Sequence, residues 1–190
     1  MNKAIAFILI LIIAPFLGSI YGIVHDQITF SIAEEYYTKF KFFQFGLYNW
    51  GMGQNMGTSE TPEVILNSPR FGAGIIGVLS TWWVGLISGI ILGFTGLIHK
   101  DGNTMFRITL KAIIYTIIIA FLTGLIGFIY SKINVIENIP NWYLPKNVIH
   151  KKDFITVGTI HNFSYLGGLI GLIIGVIYSI ATNIAYKKRD

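Results

Sequence analysis

Four histidines, His25, His99, His150 and His161, are the side chains in this sequence best suited to chemistry near neutral pH. His99 and His150 lie beside Lys100 and Lys151 in polar links, where solvation is expected. His25 is followed directly by Asp26, with Glu34 and Glu35 close behind. His161, Ser164, Tyr165 and Gly168 follow an i, i+3, i+4, i+7 spacing that places them on one helical face. Tyr21, Gly22 and His25 share a face in the same way. Two imidazoles and a carboxylate suit zinc, iron or manganese, so His25, Asp26 and His161 form the candidate metal set. A His–Asp pair also handles a proton near neutral pH. The polar-site candidates are His25, Asp26, Glu35, His161, Ser164 and Tyr165, with Glu34 near enough in sequence to join them. The opposing reading makes His25 and His161 interfacial residues bonded to loop backbone. No HExxH, P-loop, GxSxG elbow, dinucleotide fingerprint or haem-attachment motif is present, and no cofactor is specified. A Ser164–His161 pair three residues apart on one helix points its groups away from each other, which excludes an intramembrane serine protease.

These residues are positioned by long apolar runs. The 190 residues are 53% hydrophobic and only 12% charged, about half the charged fraction usual in soluble domains. The run 4–24 carries no charge and spans about 31 Å as a helix, enough to cross the hydrocarbon core. Further runs at 71–98, 112–130 and 160–184 complete a set of four. The fold expected is an all-α membrane protein: a single membrane domain over 1–190, a four-transmembrane-helix bundle with a small extracytoplasmic β-hairpin and loop region. Pro15 should kink the first helix by removing a backbone donor. Lys3 resembles the start of a signal peptide, but the apolar run is long and no Ala-x-Ala-like site follows, so an uncleaved helix is expected. Trp82 and Trp83 fall near mid-helix and are read as packing bulk. No Asp, Glu, Lys or Arg is expected deep within a helix, which disfavours an ion or proton carrier.

Orientation follows from the basic residues. Lys100, Arg107, Lys111 and the Lys187-Lys188-Arg189 cluster crowd helix ends in short segments, placing both termini in the cytoplasm. Segments 25–70 and 131–159 are then extracytoplasmic. Within the first, Ile28, Phe30 and Ile32 alternate with polar residues, as do Phe40 and Phe42, predicting a hairpin turning near Glu34-Glu35. Residues 46–57 read as an irregular loop, and Trp142 and Tyr143 as headgroup-level rings. The net charge of +5 lies at these flanks rather than along an aromatic-interleaved stripe, so nucleic acid is excluded as a partner. The absence of cysteine excludes disulfides, thiolate chemistry and palmitoylation.

Small residues recur every fourth position. Gly77, Gly85, Gly89 and Gly93 stand on one face of the second run, and Gly167, Gly171 and Gly175 on one face of the fourth. Because lipid supplies no hydrophobic force between helices, such faces promote association by close packing, within the bundle, a homo-oligomer or a larger membrane complex. Gly96, off the ladder, is expected to tolerate a larger side chain.

Tyr21-Gly22-Ile23-Val24-His25-Asp26-Gln27, Glu35-Tyr36-Tyr37-Thr38, Thr81-Trp82-Trp83-Val84-Gly85 and His161-Asn162-Phe163-Ser164-Tyr165 together resemble a set of uncharacterised bacterial multi-pass membrane proteins, with Glu34 where that pattern has proline. The resemblance implies a bacterial inner membrane and no activity. The function expected is a ligand-binding or accessory component with an outward-facing His/Asp/Glu cluster; the alternatives are a metal-dependent membrane enzyme and an ion or proton carrier. A reporter active only in the periplasm should work when fused after Asn55 and fail after Asn103 or Asp190. The reverse pattern would move the cluster to the cytoplasmic side.

Overall fold

The computed structural model describes residues 1–135, 142 and 144–188, with 79% helix and a small two-stranded sheet. Among the described residues four helices are long and apolar enough to cross a membrane: α1 (Lys3–Ile32), α4 (Pro69–Gly96), α5 (Gly102–Tyr130) and α6 (Lys151–Lys187). Between α1 and α4 lie two single-turn helices, α2 (Glu34–Tyr36) and α3 (Phe42–Gln44), joined by a π-helical turn over Tyr37–Lys41. The strands β1 (Gly53–Asn55) and β2 (Val64–Leu66) pair antiparallel, Gln54 opposite Ile65.

Three of the long helices, α1, α5 and α6, outrun their apolar runs, and polar residues cap the starts of α1 and α5. Asn2 accepts a hydrogen bond from the Ile5 amide, 2.8 Å, and starts α1. Asp101 accepts from the Thr104 amide and hydroxyl, both at 2.9 Å, so α5 begins ten residues before its uncharged stretch. Pro69 occupies the first turn of α4, where its missing N–H costs nothing. α1 is assigned as one uninterrupted helix through Pro15.

The hairpin expected over 28–42 is not formed. Residues 28–32 are the last turns of α1, in which Thr29 and Ser31 return their hydroxyls to the carbonyls of His25 and Gln27. Ile28 is exposed while Phe30 is buried, so the two apolar positions face different surroundings rather than one sheet face. A five-residue alternation was too short to separate period two from a helical turn. The actual strands fall partly in the 46–57 stretch read as irregular. Phe30, Tyr37, Phe42, Leu47, Val64, Leu66 and Phe154 form one core above the bundle. Ala6, Ile10, Ala14, Leu92, Met105 and Ala112 form another at the opposite end. Trp142 lies against Gly158 of α6. Tyr143 and Arg189 lie outside the described residues.

The helices associate chiefly as two antiparallel pairs, α1 with α4 and α5 with α6. Glycine sets both approaches. A Cβ built on Gly85 would meet the Ala14 carbonyl oxygen at 2.5 Å, and one on Gly18 would meet Gly85 Cα at 3.1 Å. Gly77 faces the Gly22 backbone, Gly89 the Ala14 side chain and Gly93 the Phe7 ring. In the second pair Gly167 faces Thr123 and Ala120, Gly171 faces Thr116, and Gly175 faces Ala112 and Leu92. Both ladders therefore meet neighbours within the same chain. Thr81 reinforces the first approach, its hydroxyl lying 2.8 Å from the Gly18 carbonyl oxygen and 2.6 Å from that of Gly77. Gly96 is no freer: its Cβ would meet Thr109 Oγ1 at 2.5 Å. Gly168, by contrast, has nothing within 4 Å. Gly85→Leu should lower stability in detergent by about 1–3 kcal/mol through overpacking, whereas Gly168→Leu should leave the melting temperature near that of the parent. Equal losses in thermal denaturation would contradict this packing.

Candidate functional site

Asp26 lies within α1, 3% exposed, and is an acid buried among helices. The expectation that no charged residue sits inside a helix fails here, because α1 continues two turns past Val24. His25 precedes it on α1, and His161 reaches it from α6, 7% exposed like His25. The two imidazole rings are edge-to-face with centroids 4.7 Å apart. Asp26 Oδ1 stands 3.1 Å from His25 Nδ1 and 3.3 Å from His161 Nε2. One ligand atom from each of the three residues lies within 4.8 Å of the others.

The remote ring nitrogens are also engaged. His161 Nδ1 is 2.9 Å from the Val157 carbonyl oxygen, and His25 Nε2 is 3.1 Å from Ser164 Oγ. Around this sit aromatic rings: Tyr36 stacks on His161 at 5.2 Å, Tyr21 approaches His25 at 5.6 Å, and Tyr165 lies 6.4 Å from His161. Ser164 also fills the space against Gly124 of α5. Two buried polar atoms here have no hydrogen-bond partner, Asp26 Oδ2 and the Tyr21 hydroxyl. Buried polar atoms are usually satisfied by protein, water or an ion, so these two, with the Ser164 and Tyr37 hydroxyls beside them, are points at which a water, ion or ligand group can bond.

The cluster borders a cleft of about 370 Å³ between the helices. Its wall includes Tyr21, His25, Asp26, His161, Ser164 and Tyr165, then continues past Val84, Ile117, Gly168 and Leu169 to Ala14, Ile113 and Leu172. The twelve-residue step from Asp26 to Ala14 on α1 makes it about 18 Å long. The hydroxyls of Thr81 and Thr116 on this wall are spent on helix carbonyls, so they offer little to a ligand. The ionisable groups all lie at one end.

Of the residues expected to share a site, His25, Asp26, His161 and Ser164 are joined directly and Tyr165 borders them. Glu35 is elsewhere. Its carboxylate accepts from Lys39 Nζ at 2.5 Å, the Ile149 amide at 3.2 Å and the His150 amide at 2.6 Å, tying α2 to the start of α6. Lys39 in turn donates to the Asn147 carbonyl at 2.8 Å. Glu34 lines a separate polar recess with Glu35, Glu63 and His150. His99, expected in solvent, is 1% exposed and pairs with Ser179 Oγ at 3.0 Å at the opposite end of the bundle; burial holds its pKa below the ordinary value. His150 remains exposed. Tyr36 was not foreseen as a site residue, because its role depends on the helical turn that replaced the expected strand. Thr29 and Tyr37 support that turn through a 2.6 Å hydroxyl contact.

No protein-family model, curated protein or solved structure matches this chain.

Glu35 gives the region a pH dependence. Partial burial pushes its pKa up, but the hydrogen bonds from Lys39, His150 and Ile149 outweigh that and hold it below 4.5. A carboxylate stabilised this way contributes fully above its ordinary pKa and loses that contribution as pH falls through the lowered value. The melting temperature of the parent should therefore fall more steeply than that of Glu35→Gln as pH drops below about 4.5. Parallel curves would show that the Glu35 tie adds nothing.

Proposed function

We propose that this chain is a membrane-embedded binding protein for an amphiphile, with the polar head held at His25, Asp26 and His161 and the apolar part lying along the cleft toward Ala14 and Leu172. The observation that carries this reading is the division of polarity within one cavity: ionisable groups at one end and, over the remainder, a mainly apolar wall that also carries the hydroxyls of Ser80, Thr81, Ser88 and Thr116. A site of a few hundred Å³ lined by apolar groups with a few convergent polar ones is the usual form of a small-molecule site. A head with hydrogen-bonding or anionic oxygens also answers the unpartnered Tyr21 hydroxyl. We place the protein in a bacterial inner membrane with both termini cytoplasmic, in keeping with its basic flanks and the motif resemblance, so that the head-group end faces outward. This reading makes it a ligand-binding component rather than a structural spacer.

The test uses 11-(dansylamino)undecanoic acid as probe with the purified protein in mild detergent. Saturable binding of one probe per chain is expected. Gly168→Trp should weaken binding at least tenfold with an unchanged melting temperature, since Gly168 borders the cleft and has open space beside it. Leu166→Trp, at an exposed position off the cleft, should bind as the parent does. Unsaturable binding, or equal affinity in Gly168→Trp, would overturn the reading.

A further inference from the structure

We infer that His25 Nδ1, His161 Nε2 and the Asp26 carboxylate bind a divalent transition-metal ion of the zinc class, with its remaining position open to the cleft. The argument begins at His161. Its Nδ1 faces the Val157 carbonyl oxygen, an atom that only accepts, so Nδ1 carries the ring proton. In the neutral ring Nε2 is then a bare lone pair, yet it faces a carboxylate oxygen at 3.3 Å. Two lone-pair atoms at that distance require a cation between them, either a proton or a metal ion.

The surroundings favour the metal. With metal–ligand bonds of 2.0–2.1 Å, ligand atoms around a tetrahedral ion stand about 3.3 Å apart. Asp26 Oδ1 lies at 3.1 and 3.3 Å from the two ring nitrogens, and the three ligand atoms lie within 4.8 Å of one another, so the two rings must draw closer to each other to share one ion. His25 is compatible with the same arrangement: Nδ1 points at the carboxylate at 3.1 Å, and Nε2 faces Ser164 Oγ at 3.1 Å, a hydroxyl that accepts when Nε2 carries the proton. Metal-bound histidines characteristically donate the other ring N–H to a carbonyl, hydroxyl or carboxylate, which fixes tautomer and ring orientation. Both rings meet that condition. Asp26 Oδ2 makes no other hydrogen bond of ordinary geometry, and a metal ion takes carboxylates through one oxygen or both, so it is free to join the ligand set. Two imidazoles and one carboxylate supply three ligands and leave a fourth position, the arrangement of zinc sites that bind an exchangeable group. All three ligands border the same cleft, so that position lies where the amphiphile's head would rest. In that respect the inference deepens the proposed function, while the metal set itself stands on the ring geometry alone.

Chelator-treated protein in mild detergent should take up one Zn²⁺ per chain by elemental analysis. Co²⁺ in its place should give the intense visible absorption of a four-coordinate ion, and Zn²⁺ should abolish it. Asp26→Asn, close in shape, should lose retained metal and the rise in melting temperature that Zn²⁺ gives the parent. Ser164→Ala keeps all three ligands and removes the acceptor for His25, so it should weaken Zn²⁺ binding by roughly 10- to 100-fold. Gly168→Trp should hold the metal normally while losing the dansyl fatty acid, which separates the two readings. Metal uptake without fatty-acid binding would sink the amphiphile and keep the ion. Fatty-acid binding with no stoichiometric Zn²⁺ or Co²⁺, or undiminished metal in Asp26→Asn, would overturn the metal site.

Discussion

The bundle's arrangement converges on one carboxylate placed where water does not readily reach it. Asp26 comes from the α1–α4 pair, and His161 comes from the α5–α6 pair. Each pair is drawn together by its own glycine face, but their mutual contacts are sparser, and the Asp26–His161 contact bridges α1 and α6 directly. Removing an ionised group from water without partners costs many kcal/mol, so the surrounding side chains must be arranged to satisfy it. Most of the polar detail at this end is explained by that need. Ser164 fixes one imidazole and the Val157 carbonyl fixes the other, while Tyr36 stacks across His161 and excludes solvent.

The same constraint explains why the part beyond this end of the bundle is built as it is. Tyr36 reaches the cluster only because residues 34–44 coil back over the end of the bundle instead of extending away. Glu35 and Lys39 anchor that coil to residues 147–150 just before α6, which also carries His161. The small sheet and the Phe30–Phe42–Phe154 core lie behind it and bury the aromatic faces that would otherwise meet water. Within the bundle the absence of large side chains at Gly168 leaves a cleft leading to the cluster, in contrast to the other fourth-helix glycines, which are filled by neighbours.

Four membrane-length helices were legible in the sequence because they rest on a strong periodic and compositional signal, whereas the meeting of His25 with His161 stood there only as one of two readings, since a helical face says nothing of which helix it meets. Length and apolarity mark a crossing helix with little ambiguity, and small residues at every fourth position mark close faces. Helix ends were less visible: α1 and α6 continue through Asp26 and Lys151, where charge suggests a boundary but buried pairing or exposure permits a helix. That extension is why Asp26 became an intrahelical acid rather than a loop residue. The segment 28–42 misled because its alternation arises from one helix end and a separate helical turn. Glu35 was assigned by proximity in sequence; Lys39 is a local i+4 partner, but the Ile149 and His150 amides it accepts from lie more than a hundred residues away, a pairing no local pattern reveals. His99 beside Lys100 looked solvated, but Ser179 on the last helix covers it.

A double-mutant cycle on His25 and His161 tests the central claim most directly, since it needs no assumption about which ligand or ion is bound. Stability in detergent would be measured for the parent, His25→Ala, His161→Ala and the double variant. Groups sharing one carboxylate should couple by about 0.5–3 kcal/mol, the double loss falling short of the sum of the single losses. The coupling should shrink when the cycle is repeated in Asp26→Asn, leaving only what the direct contact of the two rings supplies. Strict additivity in the parent background would mean two independent histidines and no shared site.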